Sequence, residues 1–195
     1  MNFLAHLYLS GDFDELMIGN FMADFVKGKP AVTIHPQIIK GIELHRQIDY
    51  YTDTHFVVKE SKERLRSKYR KYAGVIVDMF YDHFLAVNWQ SYSALPLPEF
   101  ASQTYRLMTI NKQLLPPAMH ILLHYMQKQN WLVSYGRIEG IARALQGMSK
   151  RTTFQSDMEL AVYDLQQDYQ LYLAEFTNFF PQLIQHVKDW KDTHL

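Results

Sequence analysis

The stretch that most constrains this fold is Arg70 to Trp89, RKYAGVIVDMFYDHFLAVNW. Wound at about 100° per residue, it puts Val75, Ile76, Val77, Met79, Phe80, Phe84, Leu85 and Val87 on every side. A helix that is apolar all round has no face to give to water, so other elements must surround it. The rest of the chain offers helices for that purpose, because strand-like alternation is almost absent. The expected fold is all-α, a single-domain helical bundle over 1–195 with about seven to nine helices. A chain of 195 residues, 48% hydrophobic and 14% aromatic, can fill one sizeable core.

This central segment also carries Asp78 and Asp82, one turn apart and on the same side as Val75, Leu85 and Trp89. Like charges at i,i+4 repel, and burial makes the repulsion worse. A divalent cation between them removes both penalties; protonation of one, or a separate arginine for each, is the alternative. His83 points about 100° away from Asp82 and reads as support for the site or as packing.

A second segment repeats the pattern. In Ile38–Asp53, IIKGIELHRQIDYYTD, a narrow stripe collects Ile38, Ile42, His45, Asp49 and Thr52, with Lys40, Glu43, Gln47 and Tyr51 opposite. An imidazole and a carboxylate at i,i+4 on a buried face can grip one metal ion, or can form a hydrogen bond that locks packing. Arg46 flanks the stripe, within reach of a phosphate beside a metal. Asp53 lies at its edge. A third apolar helix starts at Asp12 or Asp14, runs to about Val26, and is ended by Gly28 and Pro30. It carries Asn20 and Asp24 on one side. Asn2 caps a short first helix that stops near Gly11. His6 on that helix reads, by position alone, as a core histidine bonded to a backbone carbonyl.

Residues 59–71, KESKERLRSKYRK, hold Lys59, Lys62, Arg64, Arg66, Lys68, Arg70 and Lys71 against two glutamates. In a chain with 20 basic and 20 acidic residues, such a local excess predicts an acidic partner docking there. Farther on, helices are expected near 99–113, from Pro116–Pro117, and over Trp131–Met148. The His120/His124 pair shares its side with Gln127 and Lys128 and reads as solvated. Lys150 and Arg151 read as phosphate contacts or surface charge. Ser156 and Glu159 form a capping-box pattern. A seam of Met158, Val162, Leu165, Tyr169, Tyr172 and Phe176 predicts antiparallel helix packing, and Pro181 is expected to start a last helix.

A net charge of zero argues against non-specific nucleic-acid binding. The absence of cysteine excludes thiolate metal sites and cysteine nucleophiles. MNFLAHLYLSGDFDE lacks the features of a secretory signal. No uncharged apolar run approaches the ~18 residues of a membrane span. The expectation is a soluble cytoplasmic protein. One histidine and several aspartates spread over three apolar helices suit Mn²⁺ or Mg²⁺, and such sites commonly hydrolyse phosphoesters.

MNFLAHLYLS, GNFMADFVKG, GIELHRQIDYYTD, DMFYDHFLAVNW and GMSKR, in this order, resemble the acyl carrier protein phosphodiesterase family from Met1 to about Arg151. The resemblance implies an all-helical, HD-like fold. It implies Mn²⁺-dependent removal of 4′-phosphopantetheine from holo-acyl carrier protein. It carries metal or catalytic roles onto Asp24, His45, Asp49, Asp78 and Asp82, with Arg46 stabilising phosphoryl charge. His6, Asn20, Asp53 and His83 stand in matching motifs without defined roles. The pattern departs at Gln47 and at Val87–Asn88, where phosphate or carrier contacts are lost. Because carrier proteins of this kind are acidic, run 59–71 acquires a purpose as their docking surface. Two other readings remain: an HD-like phosphohydrolase of nucleotides or other small phosphoesters, and a non-catalytic adaptor for an acidic partner.

Overall fold

The computed structural model describes residues 1–12, 14–28 and 34–195. Pro30, expected to end the second helix, lies outside the described residues. The described chain is helical throughout: α1 Phe3–Ser10, α2 Asp14–Met22, α3 Pro36–Thr54, α4 Phe56–Tyr69, α5 Ala73–Val87, α6 Leu97–Ile110, α7 Pro117–Lys128, α8 Trp131–Ser134, α9 Ile138–Ser149, α10 Ala161–Gln167 and α11 Tyr169–His194. Among the described residues there is no strand. Nine of these helices have eight residues or more, and α8 and α10 are short connectors.

As its composition requires, α5 lies at the centre. Ile76, Val77, Met79, Phe80, Tyr81, Phe84 and Leu85 are fully buried, and α1, α4, α9 and α11 pack around it. Buried apolar residues from all eleven helices form one continuous cluster.

Two features of the packing place the functional residues. The first is the crossing of α2 and α3. A Cβ on Gly19 would stand 2.0 Å from the Ile38 carbonyl oxygen, and one on Gly41 would stand 2.1 Å from that of Leu16. Only glycine at both positions lets the two backbones touch. The second is the seating of α1. The carboxylate of Asp82, on α5, accepts from the backbone N–H groups of Asn2 (3.2 Å), Leu4 (2.8 Å) and Ala5 (3.3 Å). A helix N-terminus has unpaired donors and a partial positive charge, and a carboxylate answers both. Asn2 caps the same end through its side chain, and Gly11 ends the helix at φ 70°.

Several sequence expectations are corrected. Pro181 does not start a helix; it lies inside α11, which runs 26 residues. An internal proline costs about 3 kcal/mol, but Phe176, Phe179, Phe180 and Leu183 are buried on both sides of it and hold the helix together. The Ser156/Glu159 capping box does not form: the Ser156 hydroxyl bonds Ser149 Oγ instead, and Asp157 adopts a left-handed conformation. The helix expected over Trp131–Met148 is broken into α8 and α9. Gly140 permits that corner, because a Cβ there would meet the Ser134 carbonyl at 1.8 Å. The seam from Met158 to Phe176 is divided between α10 and α11 at Asp168.

Candidate active site

α1, α2 and α3 converge on a cleft of about 410 Å³. His6 comes from α1, Asn20 from α2, His45 and Asp49 from α3, and Asp24 from a 3₁₀ turn over Ala23–Phe25 that follows α2. The two imidazoles stack at 4.0 Å between ring centres. His6 Nε2 lies 3.2 Å from one Asp49 carboxylate oxygen, and His45 Nε2 lies 3.1 Å from the other. Asp24 reaches His45 Nε2 at 3.1 Å from the more exposed side of the cluster.

Asn20 fixes both rings. Its Nδ2 donates to the His6 carbonyl (2.8 Å) and to Ser10 Oγ (2.9 Å), so its Oδ1 must face the imidazoles. Oδ1 lies 2.9 Å from His6 Nδ1 and 3.0 Å from His45 Nδ1, and the Asn20 backbone carbonyl lies 2.9 Å from His45 Nδ1. Carbonyl oxygens only accept, so both Nδ1 atoms carry hydrogen. In the neutral rings both Nε2 atoms are then lone-pair donors turned toward Asp49. The glycine crossing makes this possible, because it brings the α2 backbone within bonding distance of His45.

The electrostatics ask for positive charge. Burial alone would lower the His45 pKa, yet its hydrogen bonds to Asp24 and Asp49 raise it to about 9. His6 moves the other way, lowered by burial and by its charged neighbour His45. Burial works against ionisation of Asp49, but bonds from His45 and His6 hold its carboxyl far below the usual range. The hydrogen bond from His45 does the same, more weakly, for Asp24. The cluster therefore keeps its carboxylates ionised and one imidazole protonated.

His6, His45 and Asp49 each offer a ligand atom within 4.8 Å of the others, a group that can hold a metal ion. The donor chemistry fits: two imidazole Nε2 atoms backed by Nδ1–H bonds, and one carboxylate, with a cation taking over the charge that the His45 proton carries. His6, whose position suggested a core histidine bonded to a backbone carbonyl, instead bonds the Asn20 side chain and faces the cleft.

The other proposed ligands have different partners. Asp78 lines the cleft and accepts from the Met1 α-ammonium at 2.9 Å. Asp82 is fully buried under α1, and burial pushes its carboxyl up to about 7 despite the Met1 charge and three N–H donors. The repulsion between these two aspartates is countered by the Met1 α-ammonium and the N–H groups that open α1. Asp53 lines the cleft and is paired with Lys62. His83 is remote: its Nδ1 donates to the Tyr135 carbonyl at 2.7 Å and its Nε2 faces the Tyr169 hydroxyl. Arg46 is exposed, donates to the Gly28 carbonyl at 2.9 Å, and is not among the residues lining the cleft. The basic residue that does line it is Arg151. The sequence left Arg151 open between phosphate contact and surface charge, and only the packing of α9 against α5 brings it to the cleft.

Four of the seven basic residues in run 59–71 have partners within the chain. Arg64 donates two hydrogen bonds to the Glu175 carboxylate, Lys62 pairs with Asp53, Arg66 with Glu63, and Lys68 with Asp164. Lys71 lies over the rings of Tyr72 and Phe154. The His120/His124 pair makes no joint site; His120 bonds the carbonyls of Lys112 and Leu115, and His124 is exposed.

Helices that press two histidines and a carboxylate together beside a cleft with an arginine on its lining define a class: an all-helical protein with a histidine–carboxylate centre able to hold a metal. The family model for acyl carrier protein phosphodiesterase matches residues 1–183. Proteins bearing that name are similar along nearly the whole chain. The one from Photorhabdus laumondii is 33% identical over 190 residues, covering 97% of this chain and 96% of its own. That from Klebsiella pneumoniae is 37% identical over 186 residues, covering 95% and 96%. That from Escherichia coli O139:H28 is 36% identical over 186 residues, covering 94% and 96%. No solved structure matches the chain significantly. The chain belongs to the acyl carrier protein phosphodiesterase family. No helix among the described residues is long and apolar enough to cross a membrane.

Proposed function

We propose that this chain hydrolyses the phosphodiester of holo-acyl carrier protein, releasing 4′-phosphopantetheine and leaving the apo-carrier. The observation that carries the proposal is the convergence of His6, His45 and Asp49 on one cleft in a chain that matches this family along its length. His6, His45 and Asp49 would hold a Mn²⁺ or Mg²⁺ ion, and Asp24 lines the same cleft. When bound, that ion supplies charge neutralisation at the phosphoryl group and acidifies water.

The chain's own residues do the rest. Asn20 keeps both Nδ1 positions protonated, so the Nε2 lone pairs face the cleft. Asp24, ionised and half in solvent, is placed to accept a proton from the attacking water. Arg151 offers a guanidinium to the non-bridging phosphoryl oxygens. Asp82 and Asp78 act through position, seating α1 and therefore His6. Water adds to phosphorus, the bond to the carrier serine oxygen breaks, and that oxygen takes up the proton that water loses.

Of the basic residues in run 59–71, Lys59 and Arg70 are exposed and, among the described residues, unpaired. They are the residues of that run best placed to meet an acidic carrier. The absence of cysteine fits a working place in the reducing cytoplasm.

The test is mass spectrometry of holo-carrier incubated with the native chain and with Asp49→Ala, with and without Mn²⁺. Metal-dependent release of 4′-phosphopantetheine, lost in the variant, is the expected result. A folded, metal-loaded native chain that releases nothing would overturn the proposal and favour a small-phosphoester substrate.

A further inference from the structure

Beside the acidic cleft runs a second cavity of about 680 Å³, bounded by α7, α8 and α9. The two are continuous: Phe3, Phe25, Leu122, Met148 and Arg151 line both. This trough differs in chemistry from its neighbour. Ala118, Ile121, Tyr125 and Ala144 give it apolar walls, with Trp131 and Tyr135 toward the α8–α9 corner. Three of its apolar side chains are turned out to water: Ile121 at 66% exposure, Tyr125 at 47% and Phe25 at 38%. Large apolar groups held open along one groove mark a surface meant to be covered. Polar groups are sparse, chiefly the amides of Gln129 and Gln146, and the lining cations are Arg143, Lys150 and Arg151, all exposed. None of these three is paired with a carboxylate among the described residues. A few fixed polar groups among apolar walls are what a small-molecule site offers.

We infer that this trough is the binding site for the organic arm attached to the phosphoryl group, an elongated chain of methyl-bearing carbons and two amides. The inference rests on the reaction proposed above, because that reaction places the arm's phosphate at the junction of the two cavities. Three observations point to this occupant. The trough adjoins the cleft through Arg151 and four shared apolar residues, so a phosphate held beside Arg151 can extend its substituent along the groove. The wall chemistry matches an arm of alternating apolar and amide groups. Arg151 lines both cavities, so a cation stands where the phosphate charge would meet the groove. The arm thereby anchors the substrate at a distance from the scissile bond, and such remote contacts help position the reacting group. Ile121 and Tyr125 become specificity-determining residues.

The probes are 4′-phosphopantetheine and inorganic phosphate, titrated calorimetrically into the metal-loaded chain. The Trp131 indole, in the trough, gives a fluorescence signal for the same titration. The native chain should bind 4′-phosphopantetheine at least tenfold more tightly than phosphate. Ile121→Asp and Tyr125→Ala alter exposed positions on α7 and should remove most of that difference; Ala144→Trp, which fills the trough, should do the same by obstruction. Melting curves verify that each variant is folded. Equal affinity of the native chain for the two probes would overturn the inference, as would variants that keep the native difference. Weaker binding of apo-carrier with unchanged binding of 4′-phosphopantetheine would overturn it too, and would assign the groove to the carrier's protein surface. Failure of the proposed reaction reads out separately, as a native chain that binds the arm yet releases none from holo-carrier.

Discussion

Replacing Asn20 by alanine removes the side chain that holds the Nδ1 atoms of both imidazoles. Four hydrogen bonds go with it: two accepted from His6 and His45 Nδ1, and two donated to the His6 carbonyl and Ser10 Oγ. The losses are unequal. His45 Nδ1 keeps the Asn20 backbone carbonyl at 2.9 Å, and the His6 carbonyl keeps the Ser10 hydroxyl at 2.9 Å. His6 Nδ1 keeps no partner in a ring that is 4% exposed. One orphaned buried donor costs about 1–3 kcal/mol, and each shared bond adds a fraction of 1 kcal/mol. The expected destabilisation is about 2–4 kcal/mol, read from urea unfolding. Freed at Nδ1, His6 no longer has a set tautomer, and loss of such support lowers metal affinity about 10–100-fold. Asn20→Asp separates the two effects. Its carboxylate still accepts from both imidazoles but meets the His6 carbonyl with an acceptor, so stability falls while Mn²⁺ affinity stays near native. Titration calorimetry with Mn²⁺ measures the affinities. An alanine variant that binds Mn²⁺ within twofold of native, or an aspartate variant as weak as alanine, would refute the account of Asn20 as the residue that sets both rings.

Other outcomes follow from the same packing. Gly41→Ala drives a Cβ toward the Leu16 carbonyl, 2.1 Å away; the α2–α3 crossing must open, and a thermal melt should show loss of about 3 kcal/mol or more, as for severe overpacking. Arg64→Ala leaves the Glu175 carboxylate, 10% exposed, beside Ser61 without its cation. It should cost about 3 kcal/mol by denaturant unfolding, whereas Lys68→Ala removes an exposed lysine and leaves Asp164 its bond from the Tyr69 hydroxyl, and should cost under about 1 kcal/mol. Comparable losses in the two would contradict the reading that Arg64 is the cation the Glu175 carboxylate depends on. Metal at about 100 times its Kd binds only the folded chain and adds about 2.7 kcal/mol, so Mn²⁺ should raise Tm by roughly 5–10 °C for a chain of this size and excess chelator should reverse it. Identical melts with and without Mn²⁺ would argue against a folded-state metal site at His6, His45 and Asp49.

Much of this protein could be read from local periodicity. The all-round apolar pattern of α5 fixed its central place, because no orientation leaves it a wet side. The i,i+4 spacing of His45 and Asp49 on the Ile38–Ile42 stripe put both on one face, since helix geometry alone decides that. The same logic found the Asp78/Asp82 pair but could not say what relieves it. A helix end from 77 or more residues away does so, and no pattern within α5 encodes that contact. The roles of His6 and Asn20 were hidden for the same reason. Each is an ordinary polar residue on an apolar helix until Gly19 and Gly41 bring α2 against α3 and Asp82 seats α1. Arg46 turns to the Gly28 carbonyl while Arg151 lines the cleft, because where a cationic side chain ends up depends on which neighbours close over it. The basic run 59–71 is a charge pattern in the sequence, but four of its cations are spent on acids from α3, α4, α10 and α11 once the helices assemble. Periodicity thus determined which residues face inward. Tertiary packing alone decided which of them meet, because the contacts that build the cleft join helices through single glycines, one amide and one buried carboxylate.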